Sequence, residues 1–298
     1  MKLINYKIKN KSENKLGLIE NNSVVDLLRL SKHLDIAVPK TIDELLSSSH
    51  LGLENIHRTL KKADKLNVNK EDYIIPKAKL TYSPLIKKPG KILCVGMNYV
   101  NHIIERGGDV PISPIFFNKF PNTLAAHKQE IVLQANAKKV DYEGELVIVI
   151  GKQINNVNEK KAEDAIFGYT IGNDVSDRVF QYESSQWLIG KSMDDFAPIG
   201  PSIVTKDSID SVQDLSIQTR LNGKVVQDSS TKEMLFDVNK IVSYASQYMT
   251  LMPGDLIFTG TPKGVILEQP KEKQKWLKTN DKVDISIESL GTLSNVFV

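Results

Sequence analysis

The chain has 298 residues, 41% of them hydrophobic and 25% charged, and a formal charge of +3. That is enough apolar content for one large unit or two packed ones. The lysines are scattered, with no basic stripe among aromatics, so a nucleic-acid binder is not expected. No apolar run approaches the ~20 residues that span a bilayer, and residues 1–7 lack the apolar core of a signal peptide. The one cysteine, Cys94, rules out an internal disulfide and fits a reducing cytosol. A cytoplasmic protein with no membrane partner is therefore expected.

Residues 1–85 read as a small leading α+β unit. Residues 3–8, 17–19 and 23–27 predict strands, the last two joined by the turn Glu20-Asn21-Asn22. Residues 27–34, 41–48 and 51–66 predict helices; in the last, Leu53, Ile56, Leu60 and Ala63 recur at helical spacing. The Pro- and Gly-containing run 84–90 marks a boundary. A larger unit, residues 86–298, then opens with a strand at 91–95 carrying Cys94, which its apolar neighbours predict to be buried and inert. Asn98 is placed to cap a short helix that ends at Gly107-Gly108. His102 and Glu105 share one face of that helix, an arrangement that orients an imidazole for base work or makes a weak surface pair. Lys119 ends a strand at 115–119 and projects toward a possible site.

The run Asp141-Tyr142-Glu143-Gly144-Glu145-Leu146-Val147-Ile148-Val149-Ile150 follows. Its β-branched end predicts a strand, on which Glu143 and Glu145 share a face. Like charges so close repel unless a hard cation separates them, although a solvated strand end is the simpler reading of spacing alone. Residues 167–174 predict a strand ending in Asp174, an oxygen ligand or the cap of a helix over 176–187 that carries Arg178 and Gln181 on one face. Lys191 opens a loop-like run. Asn222-Gly223 predicts a hairpin, residues 237–248 an amphipathic helix, and residues 260–264 a glycine-rich loop whose N–H groups suit an anion. Alternating residues 281–288 and the run 291–298 predict the closing strands.

Taken in order, five of these stretches resemble the fumarylacetoacetate hydrolase superfamily: residues 96–105, 141–146, 168–181, 190–194 and 249–262. The leading unit resembles the extension of its longer bacterial members, which include oxaloacetate decarboxylase and acylpyruvase-like enzymes. The resemblance implies an α+β fold, with a strand-rich β-sandwich or roll core (residues 86–298) behind a small N-terminal α+β domain (residues 1–85). It implies Glu143, Glu145 and Asp174 as ligands of Mg²⁺ or Mn²⁺, His102 and Glu105 as a catalytic dyad, and Lys191 as the active-site lysine. Gln181 and Thr261 match contacts to the oxo-acid end of a substrate. Arg178 lies close by, and Lys119 is grouped with them. Met97, Asp177 and Val179 depart from the common pattern.

The expected activity is cleavage of a C–C bond in a 2-oxo or 2,4-dioxo acid through a metal-stabilised enolate, either acylpyruvate-type hydrolysis or oxaloacetate decarboxylation. An isomerase, hydratase or tautomerase acting on a 2-oxo-dienoate ranks next, ahead of a catalytically silent dicarboxylate-binding protein. The family also implies a homodimer.

Overall fold

The computed structural model describes residues 1–9, 11–106 and 109–298, and only the backbone of Ser49, His50, Glu105 and Arg106. The fold is α+β, with a large open mixed sheet and, among the described residues, three α-helices in the N-terminal part and five beyond it. Among the described residues the larger sheet has twelve strands and a second sheet five. No helix among them is long and apolar enough to cross a membrane.

The strand Gly144–Ile150 lies inside the larger sheet. It pairs antiparallel with Ile166–Asn173 on one side and Leu256–Phe258 on the other. All seven of its residues are buried. Leu146, Ile148 and Ile150 pack into a core shared with Ile217, Ile285 and Leu293 of the second sheet. Val147 and Val149 pack on the opposite face with Leu3, Leu27, Leu45 and Ile56 of the N-terminal part. A strand covered on both faces needs no polar alternation, which explains its unbroken apolar run.

The N-terminal helices form where the apolar spacing predicts them, at Leu27–Leu34, Ile42–Ser47 and Ser49–Leu66. The N-terminal strands join the larger sheet directly. Lys2–Ile8 pairs antiparallel with Ala197–Thr205, about two hundred residues away in the chain. Asn5, fully buried, accepts from the Ile42 amide at 2.9 Å and donates to the Leu85 carbonyl at 2.9 Å. One side chain thus ties the first strand to a helix and to the segment that leads into residues 86–298.

Two local expectations are corrected. Asn98 does not cap the helix Val100–Arg106. Its amide donates to the carbonyls of Phe236 and Thr259 and accepts from the Phe236 amide, because a buried amide flanked by two loops satisfies more groups there than at a helix end. The helix expected over 176–187 is replaced by a two-residue strand, Ser176–Asp177, and one short helix, Arg178–Gln181, with a second, Leu188–Lys191, starting beyond it. Ser176–Asp177 pairs with Val140–Asp141, and the Asp177 carboxylate, not Asp174, accepts from the first helical amides. The close of the helix at Gly107-Gly108 lies outside the described residues.

His127 shows how burial sets a titration. Its ring packs edge-on against Tyr82 with centroids 4.6 Å apart, and Nδ1 accepts from the Ser294 amide at 3.1 Å. Burial first, and then Lys128, lower its pKa to about 4. The unfolded chain therefore binds this proton before the folded chain does, and folding stability falls as pH drops from the ordinary histidine value toward 4. Urea melts should show a loss of about 2 kcal/mol between pH 7 and 4.5 that is absent in His127→Gln.

Candidate metal and substrate site

Four strand ends converge to make the site. The strand Ile92–Gly96 runs parallel to Leu256–Phe258, so Gly96 and the run 259–261 leave the sheet on the same side. The start of Gly144–Ile150 and the end of Ile166–Asn173 meet there too, with Gly144 opposite Asn173. The Asp174 amide donates to the Glu143 carbonyl, and the Glu143 amide to the Asn173 side chain, each at 2.9 Å. Two acids at the ends of separate strands, Glu143 and Asp174, are thus fixed side by side by backbone register.

Glu143, Glu145 and Asp174 are buried, and each offers a carboxylate oxygen within 4.8 Å of the others. Lys191 Nζ reaches Glu143 Oε2 at 2.8 Å and Asp174 Oδ2 at 2.6 Å, and stands 4.9 Å from the centroid of the Phe117 ring. Arg178 bridges Asp141 and Glu143 at 2.9 and 2.7 Å, and donates through Nη1 to Gln181 Oε1 at 2.8 Å. Burial works against charge on Glu143, but Lys191 and Arg178 outweigh it and hold its pKa low. Lys191 stays charged against the same burial because Asp174 and Glu143 face it.

Glu145 differs. Among the described residues it has no ion pair, and the Gly260 amide donates to its Oε2 at 2.8 Å. Burial, then the neighbouring Asp174 and Glu143, push its pKa well above the usual carboxylate range. Four buried acids (Asp141, Glu143, Glu145, Asp174) meet three cations (Arg178, Lys119, Lys191). With Glu145 ionised the acids outnumber the cations, and such an all-oxygen donor set suits a hard divalent cation.

His102 lies on the helix Val100–Arg106. It is buried, lines the same cleft, and is near enough to Glu143 that a proton on its ring favours the Glu143 carboxylate. The side chain of Glu105 lies outside the described residues. Arg178, Gln181, Lys191 and Thr261 line the cleft. Lys119, grouped in the sequence reading with the substrate contacts, sits behind Asp174 instead. It donates to Asp174 Oδ1 at 2.6 Å and to the Val175 carbonyl at 3.0 Å, fully buried and away from the cleft lining. The far wall is aromatic, with Phe117 and Trp187 packed edge-on. Trp187 comes so close to Gly96 that a Cβ there would lie 2.8 Å from its ring.

Sequence reasoning passed over Asp141 as more than a neighbour of the glutamates. Its carboxylate accepts from Arg178 and from the amides of Ile266 and Leu267, holding the guanidinium and a loop together. Its place at the head of the acidic run was the available signal. In the glycine-rich run 260–264, the acidic group that the Gly260 amide meets is Glu145 of the chain itself.

The fold and the acid cluster together define a metal-associated enzyme site. Residues 91–298 match the fumarylacetoacetate (FAA) hydrolase C-terminal family, and the chain belongs to that family. A "fumarylacetoacetate hydrolase domain-containing protein 2 homolog" of Dictyostelium discoideum is 41% identical over 308 residues, covering 99% of this chain and 96% of the relative. Mitochondrial oxaloacetate tautomerases of Bos taurus and Homo sapiens are each 36% identical over 303 residues, covering all of this chain and 92% of theirs. The crystal structure of 5-carboxymethyl-2-hydroxymuconate delta-isomerase from Mycobacterium smegmatis superposes with a TM-score of 0.75 at 31% identity, over all of this chain and 98% of the other.

These relatives correct the cytoplasmic expectation, since the tautomerases are named as mitochondrial. The error has a physical source. One buried thiol and no disulfide suit any reducing compartment, so the cysteine count does not single out the cytosol.

Glu145→Gln tests the acid cluster with little risk to the fold, because the amide oxygen still accepts from Gly260. Calorimetric titration with Mn²⁺ should show affinity falling by about a hundredfold or more, the order expected when one charged ligand of three is neutralised. The melting temperature should hold, since burial and the neighbouring acids already favour the neutral carboxyl that Gln imitates.

Proposed function

We propose that this chain is a divalent-metal-dependent tautomerase of a small 2-oxo acid of the oxaloacetate type, exchanging its enol and keto forms. The observation that carries this reading is the full-length similarity to oxaloacetate tautomerases. A cleft that sets a histidine and a lysine beside three clustered acids supports it. The motifs alone rank C–C cleavage first. The relatives' names favour the proton-transfer alternative, and nothing in the side-chain set demands a bond broken between carbons.

Glu143, Glu145 and Asp174 would hold Mg²⁺ or Mn²⁺, which supplies Lewis-acid polarisation of the oxo group. Arg178, Gln181 and Thr261 orient the oxo-acid end. His102 takes the proton from C3 and carries it to the oxo oxygen, and carries it back in the reverse direction. The Lys191 ammonium stands beside the oxo oxygen and favours the negative charge that builds on it. One C–H bond breaks as one O–H bond forms, and the reverse. No water or second reactant is consumed, so the aromatic wall at Phe117 and Trp187 serves the reaction by keeping water out.

The test is the decay of enol oxaloacetate absorbance with Mg²⁺ or Mn²⁺, with pyruvate measured in parallel. Exchange should accelerate, stop on addition of EDTA, and release no pyruvate. His102→Gln should lower kcat by about 10²-fold or more while Mn²⁺ affinity stays within a small factor of wild type. Pyruvate appearing as fast as the enol disappears would replace tautomerisation with C–C cleavage.

A further inference from the structure

Gln227 is not among the residues expected to do chemistry. It lies on the strand Lys224–Ser230 of the second sheet, just past the Asn222-Gly223 turn, and is 1% exposed. Its Oε1 accepts from the Gly144 amide at 3.1 Å. Its Nε2 donates to the Pro262 carbonyl at 2.8 Å and to Thr261 Oγ1 at 2.9 Å. The partners settle which way round the amide sits. A backbone N–H only donates and a proline carbonyl only accepts, so oxygen must face Gly144 and nitrogen must face Pro262.

The same logic reaches Thr261. Because Gln227 donates to its hydroxyl oxygen, the hydroxyl proton is directed elsewhere, and it goes to the Gly144 carbonyl at 3.0 Å. Gly144 separates Glu143 from Glu145. The Gly144 amide and carbonyl are thus both held, one by Gln227 and the other by Thr261, while Gly260 holds Glu145 itself. The packing leaves no slack, since a Cβ on Gly144 would fall 2.3 Å from Thr219 Oγ1 and 3.2 Å from Gln227 Oε1.

We infer that Gln227 is a positioning residue, fixing the spacing between the Glu143–Glu145 carboxylate pair and the Thr261 substrate contact and leaving that hydroxyl only a lone pair to offer a ligand. The inference rests on the metal-dependent reading above and adds to it a side chain from the second sheet. Its consequence is coupling. A shift of the second sheet against the first moves the carboxylates and Thr261 together, so metal affinity and substrate affinity change as one.

The test is Gln227→Met, which keeps length and loses all three hydrogen bonds. Mn²⁺ affinity is read by titration, KM and kcat by the tautomerisation assay at saturating Mn²⁺, and folding by thermal melting. The expected result is Mn²⁺ binding weakened about tenfold, or about 1.4 kcal/mol, with KM raised several-fold and kcat held within about threefold. A merely structural role would instead lower the melting temperature and the active fraction, reducing kcat while KM and Mn²⁺ affinity stay at wild-type values; that outcome overturns the inference. Wild-type protein that binds no Mn²⁺ removes the metal-dependent reading and the inference with it, so the two failures are told apart by the wild-type titration. Hydrogen–deuterium exchange on the wild type keeps the test open if Gln227→Met does not fold. Residues 224–230 should gain protection on Mn²⁺ addition together with 143–145 and 260–262, and a silent 224–230 overturns the inference.

Discussion

Buried charge at one end of the large sheet is the constraint on which the rest depends. Four carboxylates and three cationic side chains lie there, almost all shielded from water. Each alone would be costly in that setting, and even a well-made buried pair returns little net stability. Such a cluster is held in place by everything around it. Register puts Asp174 against Glu143, the Asn173 side chain holds the Glu143 amide, and two hydrophobic cores clamp the strand that follows. The cations do not all serve alike. Lys119 steadies Asp174 from behind, whereas Lys191 and Arg178 reach the cleft.

Much of this was legible in the sequence because the signals are local. Glu143 and Glu145 share a strand face through their spacing, and the apolar run beyond them declares a buried strand. The amphipathic spacing of Leu53, Ile56 and Leu60 places a helix within two residues of its observed bounds. What was not legible depends on residues far apart in the chain. Nothing near Lys2–Ile8 announces a partner at Ala197–Thr205. Asn98 looked like a cap because caps are read from the next few residues, and its true partners are Thr259 and Phe236. Gln227 carried no signal, since a lone glutamine after a hairpin is normally solvated. Lys119 was legible as important but not in its role, because a strand end fixes where a side chain starts and not which of two neighbours it meets.

The catalytic wall and the scaffold also share parts. Gly96 ends a sheet strand and, lacking a side chain, lets Trp187 close over the cleft. Asp141 both braces Arg178 and ties down the loop after Val265. In such a site few substitutions act on chemistry alone, and a change meant to retune the substrate will also disturb the backbone that aims the carboxylates.

The pairing of Lys2–Ile8 with Ala197–Thr205 reaches beyond the site. Excising the leading 85 residues would strip a partner from an inner strand and leave its N–H and C=O groups bare, a template for adhesion between molecules. It would also uncover the face of Val147 and Val149 that the N-terminal helices now cover. A shortened chain would therefore meet its own kind before it met any substrate, and clumping rather than a mild loss of turnover would be the mark of that deletion.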